Sequence, residues 1–100
     1  MKIISHRGFW TEAHEKNSEI AFKRSFENGF GLETDIRDYK GELVISHDIP
    51  EGGCLTFQRL LEIHRDIDST LLLALNIKSD GLHGAIRELL KKYNVTNCFV

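Results

Sequence analysis

The chain has one proline and two cysteines in 100 residues, no apolar run long enough to span a membrane, and no excess of either charge. Each shortage excludes something. A single proline without low-complexity tracts, beside a hydrophobic share of 41%, argues against a disordered or linker-like chain. Cys54 and Cys98 lie far apart and outside any CxxC or Cys/His spacing. They are expected to be free thiols, neither a disulfide nor a metal site nor a nucleophile. The net charge is only −2 and Lys91-Lys92 is the one basic doublet in a helical-looking run, so neither a nucleic acid nor a membrane surface is expected as a partner. Met1-Lys2-Ile3-Ile4 is too short for a signal peptide, which makes a cytoplasmic address the expectation. Asn94-Val95-Thr96 matches a glycosylation sequon and is expected simply to be a loop after a helix.

What is present is a regular alternation. Residues 2–6 read as a short buried strand. A polar loop from Gly8 to Asn17 leads to a helix over about 18–28, capped by Ser18, with Glu19 in its first turn and Ile20, Phe22 and Phe26 at helical spacing before Gly29 stops it. A second strand is expected over about 31–37. Lys40-Gly41 then turns the chain into the strand-like run Leu43-Val44-Ile45-Ser46. Thr56 opens a helix with Phe57, Leu60, Leu61 and Ile63 on its inner face, and Leu71 to Ile77 reads as a strand covered on both sides. An amphipathic helix over 82–93 and a strand starting at Cys98 follow. Strands and helices in alternation imply right-handed crossovers and a parallel α/β sheet, either doubly wound or closed into a barrel. A closed eight-fold barrel takes about 250 residues, so three to four βα units are expected to be the first part of a longer protein.

Polar residues accumulate where these strands end. His6-Arg7-Gly8 closes the first, Glu33-Thr34-Asp35 lies in the second, and His47-Asp48 follows the third. Glu33 and Asp35, two apart on a strand, project to one face. Two such charges about 5 Å apart repel by roughly 3 kcal/mol at an effective dielectric of about 20, and a divalent cation such as Mg²⁺ or Ca²⁺ would offset that and bridge to phosphate oxygens. His6 and His47 suit proton transfer because imidazole titrates near neutrality. Arg7 offers a planar fork for phosphate, and Gly8 permits a tight turn that lets backbone approach an anion. Asn76 and Lys78 alternate onto one face of their strand, bringing a neutral oxygen donor and an ammonium to the same place. Phe9 and Trp10 stand beside it on the first loop, where they either line a pocket for a substrate's alcohol or pack the loop. His14, His64 and His83 lack this placement and are expected on the surface.

Taken together, His6-Arg7-Gly8, Asn17-Ser18 with Ala21-Phe22, Gly29, Glu33-Thr34-Asp35, Lys40-Gly41 and His47-Asp48 resemble the opening of the glycerophosphodiester phosphodiesterase family over about residues 3–50, and more weakly as far as Lys78. The resemblance implies a TIM-type (β/α) barrel with its site at the C-terminal strand ends, residues 1–100 forming the N-terminal part of one such domain. It implies that His6 and His47 are catalytic acid and base, that Arg7 and Lys78 bind the substrate phosphate, and that Glu33 and Asp35 hold a divalent cation, Mg²⁺ or Ca²⁺. The reaction implied is hydrolysis of a small glycerophosphodiester to an alcohol and glycerol 3-phosphate. Two positions depart from the family's pattern. Lys16 stands where the family usually has an acid before the asparagine, and Asn76 stands where it has a third metal carboxylate, so that Asn76 is the expected third ligand through its amide oxygen. The alternatives are a related lyase that stops at a cyclic phosphate and a non-catalytic relative that binds a phosphodiester or a metal.

Overall fold

The computed structural model describes residues 3–100; Met1 and Lys2, the latter part of the expected first strand, lie outside them. Strands β1 (Ile4–His6), β2 (Gly31–Tyr39), β3 (Glu42–Ile45), β4 (Leu73–Ile77) and β5 (Cys98–Phe99) alternate with helices α1 (Glu19–Glu27), α2 (Phe57–Asp68) and α3 (His83–Lys92). The boundaries follow from local chemistry. Ser18 and Thr56 are extended residues whose side chains accept from the backbone N–H three residues on, Ala21 and Arg59 respectively, satisfying donors that a helix start leaves free.

Four strands form the sheet order β1-β2-β4-β5, every pair parallel. Each crossover between them carries one helix. This is the strand order of an open section of a (β/α) barrel. The exception is β3, which pairs antiparallel with β2. The reason is the turn: Lys40 (φ 50°) and Gly41 (φ 85°) both occupy the left-handed region, as a two-residue hairpin of the primed type demands. Because Ile36 pairs with Ile45 on one side and Ile77 on the other, β3 must lie on the flank opposite β4, above the end of β1.

Period-two alternation then separates the faces. Leu32, Ile36, Leu73 and Leu75 point to the helices and are buried with Phe22 and Phe26 of α1, Phe57, Leu60 and Leu61 of α2, and Ile86 of α3. Each such side chain contributes roughly 1.5–3 kcal/mol by leaving water. The other face carries His6, Glu33, Asp35, Ala74, Asn76 and Phe99, brought side by side by the parallel register.

Four expectations change. Strand β1 is not buried: Ile4 is 42% exposed, because it sits at the sheet edge on the uncovered face. On β4 the face away from the helices is covered only in part, Ala74 being buried and Asn76 exposed. Ile20 is half exposed, so the inner stripe of α1 is Ala21, Phe22, Ser25 and Phe26. His64 is not on the surface; it is 1% exposed, its Nε2 is 2.8 Å from the Leu71 carbonyl, and its ring meets Phe26 edge-on. A histidine between apolar positions of an amphipathic helix has nowhere else to go once its neighbours Leu60, Leu61 and Ile63 are buried. Cys54 and Cys98 are free thiols as expected, and among the described residues no helix is long and apolar enough to cross a membrane.

Burial holds the His64 imidazole below its ordinary pKa, opposed by the Leu71 carbonyl and Asp68. The folded state therefore disfavours the proton that the unfolded chain takes up, so this contribution is complete above about pH 6.5 and declines as pH falls below it. The melting temperature is expected to drop between pH 7 and pH 5. His64→Gln, which retains a donor for Leu71, should flatten that part of the profile; an equally steep decline in the variant would place the proton uptake elsewhere.

Candidate functional site

Because β1, β2 and β4 run parallel, their C-terminal ends lie at one end of the sheet, and the register places His6 beside Glu33 and Asp35 beside Asn76. Asp35 is the centre. It is 1% exposed, and a buried carboxylate is tolerated only when paired. Arg7 Nε lies 3.5 Å from its Oδ2 and Lys78 Nζ 3.8 Å from its Oδ1, while Asn17 Nδ2 donates to Oδ2 at 3.4 Å. These partners come from the loop after β1 and from the end of β4. The mutual repulsion of Glu33 and Asp35 is thus offset within the chain by cations on both flanks.

Glu33 has different neighbours. Asn76 Nδ2 donates to its Oε1 at 2.7 Å, and His6 Nε2 stands 3.0 Å from its Oε2. That second oxygen is buried yet accepts no hydrogen bond, and the buried Arg7 Nε likewise donates none. Each of these atoms faces a side-chain partner at 3.0–3.5 Å without a directed hydrogen bond, so each keeps capacity for a further partner. A carboxylate oxygen with a free lone pair suits a hard cation, and a buried guanidinium N–H suits an anion. Among the described residues no group of three or more His, Cys, Asp or Glu side chains is placed to hold a metal. The two carboxylates supply hard oxygen donors of the kind a divalent cation takes, with water and substrate oxygens left to complete its shell; they do not form an all-protein cage.

The loop after β1 is built around two left-handed residues that are not glycine, Arg7 (φ 60°) and Asn17 (φ 59°). Such conformations cost on the order of 1 kcal/mol or more and gather at functional sites. Asn17 N–H donates to the Arg7 carbonyl at 2.8 Å, and Thr34 Oγ1 donates to Asn17 Oδ1 at 2.7 Å, so the loop is riveted to β2 on both sides. Farther out, Glu15 accepts from Thr11 and Arg24, which holds its carboxyl down at about 2. Gly8 (φ 95°) makes the expected tight turn and has a packing reason besides. A Cβ there would lie 2.6 Å from Ala21 Cβ, so glycine lets the loop seat on α1.

His47 follows β3, which runs back toward the end of β1, and Ser46 N–H donates to the Asp35 carbonyl at 3.0 Å. Its ring is half exposed, with Nδ1 3.2 Å from Asp48 Oδ1. Among the described residues it makes no side-chain hydrogen bond to His6, Glu33 or Asp35. It instead lines a cleft of about 790 Å³ with Arg7, Asn17 and Lys16, at whose wall α1 and α2 both begin. The structure thus gathers His6, Glu33 and Asn76 in one cluster, Arg7, Asp35 and Lys78 in a second beside it, and His47 across the adjoining cleft. Phe9 stacks on Phe30 and Trp10 Nε1 donates to the His6 carbonyl, so both serve loop packing.

Two residues were not singled out for this site from sequence. Asn17 was legible only as part of the family pattern. Arg37 shares the face of Glu33 and Asp35 by strict alternation, and its guanidinium donates to the His47 carbonyl at 2.9 and 3.2 Å and to the Lys78 carbonyl at 3.5 Å. It fastens the His47 loop to β2.

No protein family's sequence profile matches the chain, and no curated protein matches it in sequence. Among solved structures, it is similar to a protein from Galdieria sulphuraria provisionally named a glycerophosphodiester phosphodiesterase, with a TM-score of 0.79 and 22% identity over 97% of this chain. That match covers 54% of the Galdieria protein, so the chain spans about half its length. The likeness establishes the fold, a partial (β/α) barrel of the kind that protein has.

Gly8→Ala should lower stability by about 2–4 kcal/mol through a left-handed alanine and the collision with Ala21. Gly41→Ala, equally left-handed but with nothing within 4 Å of its Cβ, should cost only about 1 kcal/mol. Equal losses by denaturant titration would remove the seating role of Gly8.

Proposed function

We propose that the chain carries the phosphate and proton-transfer machinery of a metal-dependent phosphodiesterase acting on a small glycerophosphodiester, releasing an alcohol and glycerol 3-phosphate. The observation that supports it is the convergence of His6, Arg7, Glu33, Asp35, Asn76 and Lys78 at the C-terminal ends of three parallel strands, where barrel enzymes place their chemistry. Glu33 and Asp35, with the Asn76 amide oxygen once it turns from Glu33, would hold a Mg²⁺ or Ca²⁺ ion, whose contribution when bound is to polarise the phosphoryl group. Arg7 and Lys78 balance the charge that grows on the phosphate oxygens as the bond to the alcohol breaks. His6 and His47 share the two proton transfers, one imidazole accepting from the attacking group, either water or a neighbouring substrate hydroxyl whose cyclic phosphate water then opens, and the other donating to the departing alcohol oxygen. The partner is a small-molecule phosphodiester, not a nucleic acid or a membrane surface, and the expected address is cytoplasmic.

Asn76 favours one rival. Its amide donates to Glu33 where a third carboxylate would have attracted the ion, which suits a relative that binds a phosphodiester without turning it over. Release of glycerol 3-phosphate from glycerophosphodiesters by the complete protein, followed by ³¹P NMR, decides between them. Chelation is expected to abolish turnover, and His6→Ala and His47→Ala each to lower kcat by about 10²–10⁴-fold. Absence of product with any divalent ion would leave the binder, a cyclic phosphate as end product would mark a lyase, and turnover indifferent to both chelator and His6→Ala would reject the mechanism.

A further inference from the structure

The cleft beside Asp35 has its own electrostatic character. Its volume of about 790 Å³ suits a small-molecule ligand, and Arg7 and Asn17 belong both to its wall and to the surroundings of Asp35. A phosphodiester whose phosphate lay against Arg7 would therefore extend its alcohol into this cleft. The wall there carries Lys16, Arg59 and His14, opposed by Glu19 and Asp48. Those two carboxylates are engaged elsewhere. Glu19 accepts from Arg59 at 3.0 and 3.2 Å and pairs with Lys23 at 3.0 Å, and these contacts hold its carboxyl down at about 2. Asp48 is 94% exposed and turns to His47.

Lys16 is different. Among the described residues it has no carboxylate partner, and its Nζ lies 4.6 Å from the centroid of the Trp10 ring. Two consequences follow for a ligand. An ammonium stands at the cleft without a neutralising neighbour, so a negative group gains and a cation is repelled. The indole beside the cleft already has a cation on its face, so that face does not serve as a cage wall for a quaternary ammonium.

We propose that this cleft is a selectivity subsite for the alcohol half of the substrate, favouring alcohols that bear a further phosphate or carboxylate over those that bear a quaternary ammonium. The proposal rests on the phosphodiesterase reading above and adds the substrate class to it. Lys16 is the specificity-determining residue, since Arg59 is neutralised by Glu19 and Glu62 and His14 faces Glu12.

The test compares two probes on the complete protein, glycerophosphoinositol 4-phosphate and glycerophosphocholine. Affinity is read from amide NMR shifts at residues 16–18 and 53–55, and turnover from ³¹P NMR. The anionic probe is expected to bind about threefold to fivefold more tightly, the ratio that one partly screened charge contact gives, with the same preference in kcat/KM. Lys16→Gln should reduce the ratio and Lys16→Glu should bring it to one or below, while the circular dichroism spectra of both match the parent. Equal affinity for the two probes, or a ratio that Lys16→Glu leaves unmoved, would overturn the subsite. The two readings fail separately. Turnover of both probes at equal kcat/KM removes the selectivity and leaves the phosphodiesterase; preferential binding without turnover of either removes the phosphodiesterase and leaves the charge selectivity of the cleft.

Discussion

One buried carboxylate organises this structure. Asp35 is almost inaccessible to water, and an ionised group in that position must be surrounded by compensating charge and donors or it would take up a proton or force the strand open. Its compensation comes from Arg7 and Asn17 on one flank and Lys78 on the other, so its pairing ties the loop after β1 to the end of β4 across the width of β2. The left-handed backbone at Arg7, a conformation that arginine rarely adopts, and at Asn17, where asparagine tolerates it, is sustained by that requirement. Removing the carboxylate would leave two cations facing each other and a strained loop with no reason to stay strained.

The register of the sheet was legible in sequence to the extent that period two was. Glu33 and Asp35 sharing a face, Asn76 and Lys78 sharing the same face, and the helix stripes of α2 and α3 all follow from spacing, because side-chain direction in a strand or helix is set by local geometry alone. Ser18 and Thr56 announced their helices for the same reason. What spacing does not encode is the neighbour on the far side. The apolar run of β1 looked buried because apolar strands usually have partners on both faces; here it is an edge strand on an uncovered face, and Ile4 shows it. The antiparallel direction of β3 lay in Lys40-Gly41, whose paired left-handed residues specify a tight hairpin, a stronger local signal than the general alternation of strands and helices. His64 was misplaced because its type was weighed above its helical position.

One face of the sheet is uncovered in this chain, which spans about half the length of the Galdieria protein. In a closed barrel the inward side chains of all strands fill the interior in layers, whereas here Ile4 and Phe99 remain 42% and 58% exposed below the polar cluster. The helix-facing core is complete without them: Phe22, Phe57, Leu60, Leu61 and Leu73 are fully buried. The two sides of the sheet thus answer to different demands. Packing against the helices positions the backbone, and the backbone positions charges that packing would never choose.

The two departures from the family pattern, read together, have a single electrostatic direction. Lys16 beside the cleft and Asn76 at the carboxylates stand where the family that the sequence resembles has acids, so on the proposed reading both make the surroundings of the substrate more positive. At the carboxylates the effect is to weaken the hold on a cation, since an amide oxygen supplies a dipole where a full charge stood. In the cleft the same sign strengthens the hold on an anion. On the proposed reading these effects are coupled through the substrate, because a ligand with a second negative group brings to the site part of the charge that Asn76 no longer supplies, and its grip on Lys16 positions the phosphate against Arg7 without drawing on the metal.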